Sequence, residues 1–179
     1  MGLNITVYCG ASAGNNPAYR QAAIDLGAWI AKHQHTLIYG AGSVGMMGAV
    51  ADTVLERQGD IIGVIPEFMV EREWAHPSLK YTIKTKTMSE RRDKMIELGD
   101  AFIALPGGIG TLDEISEVIC LSGLGQNPKP CILFDVNGYY EPLKIVFDRM
   151  VEEGFLGQAE RKSILFSDNL EEIERFIFE

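Results

Sequence analysis

The sequence contains few of the residues that crosslink secreted proteins or bind metals. Its 179 residues include three cysteines and three histidines. Cys9, Cys120 and Cys131 are odd in number and lie in apolar runs, which argues against a disulfide framework, and the histidines lack metal-ligand spacing. No run approaches the roughly 18 apolar residues of a membrane span, and no secretion signal is recognisable. We therefore expect a cytoplasmic protein with no metal site.

Positive charge is also scarce. The 16 lysines and arginines are outnumbered by 25 acids, giving a net charge of −9. A surface that binds nucleic acid or an anionic membrane needs an excess of basic residues, so we expect neither partner. A local pocket for one small anion is still compatible with this balance. The length predicts a single domain over residues 1–179.

Short β-branched runs alternate with longer segments of helical periodicity. The strand runs are apolar throughout, which is typical of parallel strands covered on both faces. We therefore predict an α/β fold of the Rossmann-like, doubly wound type, with a mostly parallel sheet and helices on both faces. The predicted strands are 5–9, 36–39, 61–65, 81–83, 101–105, 131–134 and 163–166. The predicted helices are 17–32, 44–58, 89–98, 112–124, 139–153 and 170–178.

Glycine-bearing turns follow three of the predicted strands, as CGAS from Cys9, YGAGSVGMMG from Tyr39 and LPGGIGTLDE from Leu105. Glycine lets backbone amides approach a ligand closely, and the N-terminus of the next helix attracts an anion. The carboxyl ends of parallel strands meet at one sheet edge. The three turns together predict a site for a phosphate-bearing ligand.

The turn at Tyr39 has a second interpretation. Gly40, Gly42 and Gly45 match the G-x-G-x-x-G spacing of dinucleotide sites, with Glu67 near the position of a ribose ligand. This leaves an NAD-dependent oxidoreductase as an alternative. The same spacing also occurs in tight turns that pack a helix against a strand.

The turn at Leu105 places acids beside a predicted anion site. A capping box, with Thr111 as N-cap and Glu114 reaching back to it, would explain both Asp113 and Glu114 but not the preceding glycines. A nucleoside 5′-monophosphate explains both features. Its phosphate would bind the turn amides, while a carboxylate would stabilise the positive charge that develops on the ribose as the N-glycosidic bond breaks. Opposite charge nearby, such as that of an arginine, should keep Glu114 ionised.

These motifs resemble those of a known family. PGGIGTLDE, residues 106–114, fits the PGGxGTxxE signature of the Lonely Guy family, the cytokinin riboside 5′-monophosphate phosphoribohydrolases. MSERRDKM from Met88 resembles the M-x-x-RK segment of the family. YGAGSVGMMG, VYCGAS and REWAHPSL are similar to further family blocks, and the resemblance covers nearly the whole chain. Members have often been labelled lysine decarboxylases, but that chemistry needs a Schiff-base lysine, and none stands out here.

The resemblance implies hydrolysis of a purine nucleoside 5′-monophosphate to free base and ribose 5-phosphate, without a cofactor, by a homodimer with its site near the interface. It assigns catalysis to Arg91 and Glu114. It assigns substrate binding to Glu73, Met88, Arg92, Gly107, Gly108, Ile109, Gly110 and Thr111. The other two glycine turns add Gly10, Ser12, Gly42 and Gly45 as candidate binding residues.

The chain also departs from the family pattern. Arg92 stands where a lysine is usual, Ala41 and Ala11 replace a glycine and a serine, and Leu121 and Gly123 replace a tryptophan and a glutamine. These differences leave open whether the base is plain adenine or an N6-substituted one. The main alternative is a nucleotide-binding carrier or sensor on the same scaffold, like the molybdenum-cofactor carriers. Such a protein has no need of Arg91 and Glu114 together.

Overall fold

The computed structural model describes residues 2–70 and 75–179, in which strands and helices alternate. The strands are β1 Asn4–Tyr8, β2 Thr36–Tyr39, β3 Asp60–Pro66, β4 Thr82–Thr85, β5 Ala101–Ala104, β6 Cys131–Phe134 and β7 Ile164–Ser167. The helices are α1 Pro17–Lys32, α2 Gly45–Glu56, α3 Glu67–Val70, α4 Met88–Leu98, α5 Ile109–Gly123, α6 Glu141–Glu152, α7 Gln158–Lys162 and α8 Leu170–Phe178. A 3-10 turn, Val136–Gly138, precedes α6.

The strands form one seven-stranded sheet in the order β4-β3-β2-β1-β5-β6-β7. Each neighbouring pair is parallel. The predicted doubly wound α/β fold is therefore confirmed. The chain reverses its winding direction between β1 and β5, and in such sheets ligands bind outside the carboxyl ends of the strands at this switch point. The turns that follow Tyr8 and Ala104 meet there.

Two hydrophobic layers cover the sheet. Residues such as Val7, Leu37 and Ile103 pack against α1, α2 and α8 on one face. Tyr8 and Phe102 pack against α4 and α5 on the other. Because both faces are covered, successive residues of the central strands are buried, which explains why these strands read as continuous apolar runs. In residues 2–70 and 75–179, no helix has the length and hydrophobicity needed to cross a membrane.

Several element boundaries differ from the sequence prediction. Val44 is the N-cap of α2 and not part of the helix. α6 begins at Glu141 and not at Tyr139, because Tyr140, with φ −95° and ψ 0°, departs from helical geometry and is the N-cap. Residues 67–70, which belong to none of the predicted strands or helices, form the short helix α3. The start of α5 differs most, and it bears on the site.

Candidate active site

The glycine turn after β5 runs directly into α5. Gly108 is the N-cap, and the amide of Leu112 donates to its carbonyl oxygen at 3.1 Å, so the helix begins at Ile109. The capping box that was the alternative explanation of the two acids, with Thr111 as N-cap, is therefore wrong, and the helix starts three residues before the predicted Leu112. A glycine N-cap has no side chain to signal it, whereas Thr-x-x-Glu imitates a helix start. The amides of Ile109, Gly110 and Thr111 precede the first α-helical bond and form the anion-attracting end of α5.

This correction removes the conflict between a phosphate site and the nearby acids. Neither Asp113 nor Glu114 lies in the first turn of α5. Gly110 and Glu114 are four residues apart and share one face of the helix, separated by about 6 Å along its axis. One face of α5 thus presents amides at its tip and a carboxylate one turn further on.

Glu114 forms a buried ion pair with Arg91, across from it on α4. Nη1 of Arg91 lies 2.5 Å from Oε1 of Glu114, and the two side chains are 8% and 12% exposed. Nε of Arg91 also donates to the Val64 carbonyl oxygen at 3.0 Å, which anchors the guanidinium to β3. The sequence could not show that Arg91 reaches the glycine loop; the fold brings it there.

Burial raises the pKa of Glu114 above its usual value, and the Arg91 guanidinium offsets only part of this effect. The sequence analysis considered the attraction between the charges but not the loss of water around the carboxylate, which acts in the opposite direction. A carboxyl group whose pKa is raised by burial is suited to acid–base work as well as to charge stabilisation. Burial also raises the pKa of the neighbouring Cys9 thiol, which makes it a poor nucleophile.

Arg91 and Glu114 line a cavity of about 310 Å³ at the switch point of the sheet. Predicted residues in its wall are Gly10, Met88, Arg91, Gly108, Gly110, Thr111 and Glu114. Its further lining residues are Val7, Tyr8, Cys9, Ala11, Gly40, Met47, Met69 and Met95. Amides, one carboxylate and one guanidinium therefore share a wall that is otherwise largely apolar, which is the usual composition of a small-molecule site.

The glycines of the site fall into two groups. A side chain at Gly107 would collide with Thr111, and one at Gly45, where φ is +62°, would collide with the Ala11 carbonyl. A Cβ at Gly10 would make a tight contact, 3.0 Å from the Ser12 carbonyl oxygen. In contrast, a Cβ at Gly108 or Gly110 would meet no atom of the described residues within 4 Å. Packing therefore explains the first group, while only the second leaves open space beside the amides.

Some predicted residues do not reach this cavity. Gly42, in the turn after β2, and Gly45, the first residue of α2, lie outside the wall, and Gly42 packs on Met47. Arg92 pairs with Glu117 at 2.7 Å and with Asp113 at 3.4 Å instead. Arg92 misses the cavity because adjacent residues on a helix point about 100° apart, and Arg91 takes the inward position.

Three other predicted residues do not line the cavity that contains Arg91 and Glu114. Ser12 and Gly107 line an adjoining cavity of about 190 Å³ that also contacts Gly108. Ile109 is 82% exposed and lines a different cavity, together with Gly107 and Gly108. Glu73 lies outside the described residues.

Side chains of the protein itself fill the space beside the turn after β2. A side chain at Gly40 would collide with the Arg91 guanidinium, and Met47 lies against Gly40 and Gly42. Packing thus accounts for the G-x-G-x-x-G spacing on which the dinucleotide alternative depended. Among residues 2–70 and 75–179, no three His, Cys, Asp or Glu side chains cluster in a way that could hold a metal ion.

Sequence reasoning missed several residues around the site. Met47, Met69 and Met95 line the cavity together with the predicted Met88. Met47 could have been found from its place in the glycine turn, but nothing in the sequence connects Met69 with the site. Tyr139, whose hydroxyl donates to the Gly107 carbonyl at 2.5 Å, was also missed. The Asn137-Gly138 pair directly before Tyr139 predicts a turn, and this was the sequence signal that could have drawn attention to Tyr139.

Comparison with known proteins gives matches over most of the chain. Residues 47–177 match a family model described as "Possible lysine decarboxylase". A cytokinin riboside 5′-monophosphate phosphoribohydrolase from Rhodococcoides fascians is 41% identical over 169 residues, covering 94% of this chain and 85% of the relative. The Arabidopsis thaliana enzyme LOG7, of the same name, is 40% identical over 171 residues, covering 96% and 79%.

Solved structures of lower identity share the fold. The molybdenum cofactor binding protein from Rippkaea orientalis superposes with a TM-score of 0.74 at 21% identity, covering 99% of this chain and 96% of that one. A molybdenum-cofactor carrier protein from Chlamydomonas reinhardtii gives 0.70 at 19% identity, covering 99% of both chains. At this level of identity the likeness concerns the fold alone.

The description "lysine decarboxylase" does not fit the site. Pyridoxal-phosphate chemistry requires a lysine that forms a Schiff base with the cofactor. No lysine is among the described residues that line the cavity. The charged groups present there are an arginine and a glutamate, which cannot form that linkage.

Proposed function

The chain belongs to the Lonely Guy family, to which the "Possible lysine decarboxylase" model corresponds, and we propose on this premise that it hydrolyses purine nucleoside 5′-monophosphates. The N-glycosidic bond is the one cleaved, and the products are the free base and ribose 5-phosphate. The observation that carries the proposal is the buried pair of Arg91 and Glu114 in one cavity with the open amides of Gly108 and Gly110.

The proposed roles follow from the charges. The phosphate binds the amides at the start of α5, where the helix dipole favours an anion. The ribose then extends along the helix toward Glu114. The carboxylate stabilises the oxocarbenium-like charge at C1′ or attacks it, and a water molecule supplies the hydroxyl of ribose 5-phosphate. Arg91 orients the carboxylate and holds the ribose.

The base occupies the part of the cavity lined by Met47, Met69 and Met88 in this proposal. Methionine side chains are flexible and polarizable, and they contact aromatic rings favourably. Such a wall suits a purine, either plain adenine or one with an apolar N6 substituent. The acid that protonates the leaving base is not assigned to a side chain.

The test is a product assay with AMP and a panel of N6-substituted AMPs. Release of free base and ribose 5-phosphate in equal amounts is the expected result, and the ranking of kcat/KM across the panel identifies the preferred base. Binding of AMP without any product would contradict the proposal and favour the carrier alternative.

We also propose that the single domain works as a homodimer in the cytoplasm. α6 contains no fully buried residue, and it exposes Ile145, Val146 and Met150. Pro142 and Leu143, at the start of α6, line a cavity together with Leu112 of α5 and Gly108. A second copy of the chain covering this apolar face would bring the interface close to the glycine turn. Light scattering of the wild type should give twice the mass of one chain. The Val146→Asp variant should give the mass of a single chain. A monomeric wild-type protein with full activity would contradict this part.

A further inference from the structure

The carbonyl groups of the glycine turn are held in series. The Tyr140 hydroxyl donates to the Leu105 carbonyl at 2.8 Å. The Gly10 amide donates to the Pro106 carbonyl at 3.2 Å. The Tyr139 hydroxyl donates to the Gly107 carbonyl at 2.5 Å. Three consecutive carbonyls thus have defined donors before the Gly108 carbonyl enters the helix.

Holding a carbonyl also fixes the amide of the same peptide unit. In a planar trans peptide the C=O and N–H groups point in opposite directions. The Gly107 carbonyl and the Gly108 amide belong to one unit, so the bond from Tyr139 turns that amide away from Tyr139. Gly108 lines the cavity that contains Arg91 and Glu114, and Tyr139 does not. Tyr139 lines two adjoining cavities, which Gly108 also borders.

The Tyr139 residue is 40% exposed, and its ring has aromatic contacts on two sides. Its ring packs edge-on against Tyr19 at 5.5 Å and against Tyr140 at 5.0 Å between centroids. It follows two residues with positive φ, Asn137 at 54° and Gly138 at 68°. A hydroxyl on a side chain with so few free rotamers loses little entropy when it forms its bond.

We propose that Tyr139 is a positioning residue for substrate phosphate, acting by orienting the Gly107–Gly108 peptide so that its amide, and not its carbonyl, faces the anion. Without the bond, this peptide can rotate and bring a carbonyl oxygen toward the phosphate, where like partial charges repel. The inference rests on the proposed function, because it assumes that phosphate binds at the start of α5.

Tyr140 supplies a matched control. It makes the same kind of bond to the Leu105 carbonyl, but the nitrogen of that peptide unit belongs to Pro106 and carries no hydrogen. Losing the Tyr140 hydroxyl therefore cannot change the direction of any N–H group in that peptide unit. Tyr139→Phe and Tyr140→Phe each remove one hydroxyl from neighbouring residues, yet only the first should change phosphate recognition.

The experiment measures the KM of AMP and the inhibition constants of ribose 5-phosphate and adenosine for the wild type and both variants. For Tyr139→Phe we expect the KM of AMP and the inhibition constant of ribose 5-phosphate to rise about tenfold, equivalent to about 1.4 kcal/mol. The constant for adenosine, which lacks the phosphate, should stay within twofold. Tyr140→Phe should leave the ratio of the two inhibition constants unchanged, and melting temperatures show that both variants are folded.

The outcomes separate this inference from the function it rests on. A wild type that neither hydrolyses AMP nor binds ribose 5-phosphate would overturn the proposed function itself. A wild type that does both, with Tyr139→Phe unchanged or weakened equally for adenosine, would overturn only the role of Tyr139. The same loss of ribose 5-phosphate binding in both tyrosine variants would also overturn it, since the effect would then be general loosening of the turn.

Discussion

Replacing Gly110 with alanine should raise stability and lower substrate affinity at the same time. Gly110 is the second residue of α5, and a Cβ there meets no atom of the described residues within 4 Å. Alanine is the better helix former, by about 0.5–1 kcal/mol inside a helix, and we expect about 0.5 kcal/mol in this first turn. For a chain of this length that corresponds to a rise of roughly 1–2 °C in melting temperature.

The added methyl group would occupy the space that we assign to the phosphate. Losing one charge-assisted hydrogen bond costs about 1.5–3 kcal/mol, so the KM of AMP should rise roughly 10- to 100-fold. Calorimetry gives the melting temperature, and steady-state kinetics gives KM. Gly157→Ala is the control for the change in KM, since its Cβ is equally unobstructed but Gly157, the N-cap of α7, lies outside the cavity wall. A stabilised Gly110→Ala protein with an unchanged KM would refute the reasoning, because the open space would then serve no ligand.

Three further predictions concern charge and backbone conformation. Arg91→Lys should lower kcat at least 100-fold in the product assay. The reason is that an ammonium group cannot hold Glu114 and a backbone carbonyl together as the guanidinium fork does. A kcat within threefold of the wild type would contradict this prediction. Burial lowers the pKa of His35, whose Nδ1 accepts from the Leu3 amide at 3.0 Å. As the pH falls, the unfolded state therefore binds a proton before the folded state does, and the free energy of unfolding should decrease below about pH 6.5. Urea titrations at several pH values should show a smaller decrease for His35→Asn than for the wild type. Gln58→Gly should raise the free energy of unfolding by about 1 kcal/mol without changing kcat. The reason is that exposed Gln58 has a φ of 58°, a conformation that glycine adopts more easily than glutamine. A loss of stability would disprove this prediction.

The sheet and most helices were predictable because their signals are local. Apolar runs mark the buried parallel strands, and Pro17 behind Asn16 marks the start of α1, where the Asn16 side chain caps the helix. Both patterns depend on residues close in sequence. The start of α5 was missed for the same reason, since Gly108 gives no local signal while Thr111 gives a misleading one.

The candidate site was predictable only as separate pieces. The glycines and Glu114 could be identified from their motif, but the partner of Glu114 depends on how α4 packs over β3. Arg91 and Arg92 look alike in sequence, and the bond to the Val64 carbonyl distinguishes the buried one. The pKa of Glu114 likewise depends on burial, which no short motif reveals.

The central claim is that the Glu114 carboxylate cleaves a nucleotide held at the start of α5. The most direct test compares wild type, Glu114→Gln and Glu117→Gln for release of adenine and ribose 5-phosphate from AMP. Glu117 is the matched control, because it lies one turn further along α5 and pairs with Arg92 outside the cavity. The account predicts full activity in wild type and Glu117→Gln and a loss of at least 1,000-fold in Glu114→Gln, with AMP still bound. Equal activity in the two glutamine variants, or none in the wild type, would contradict it.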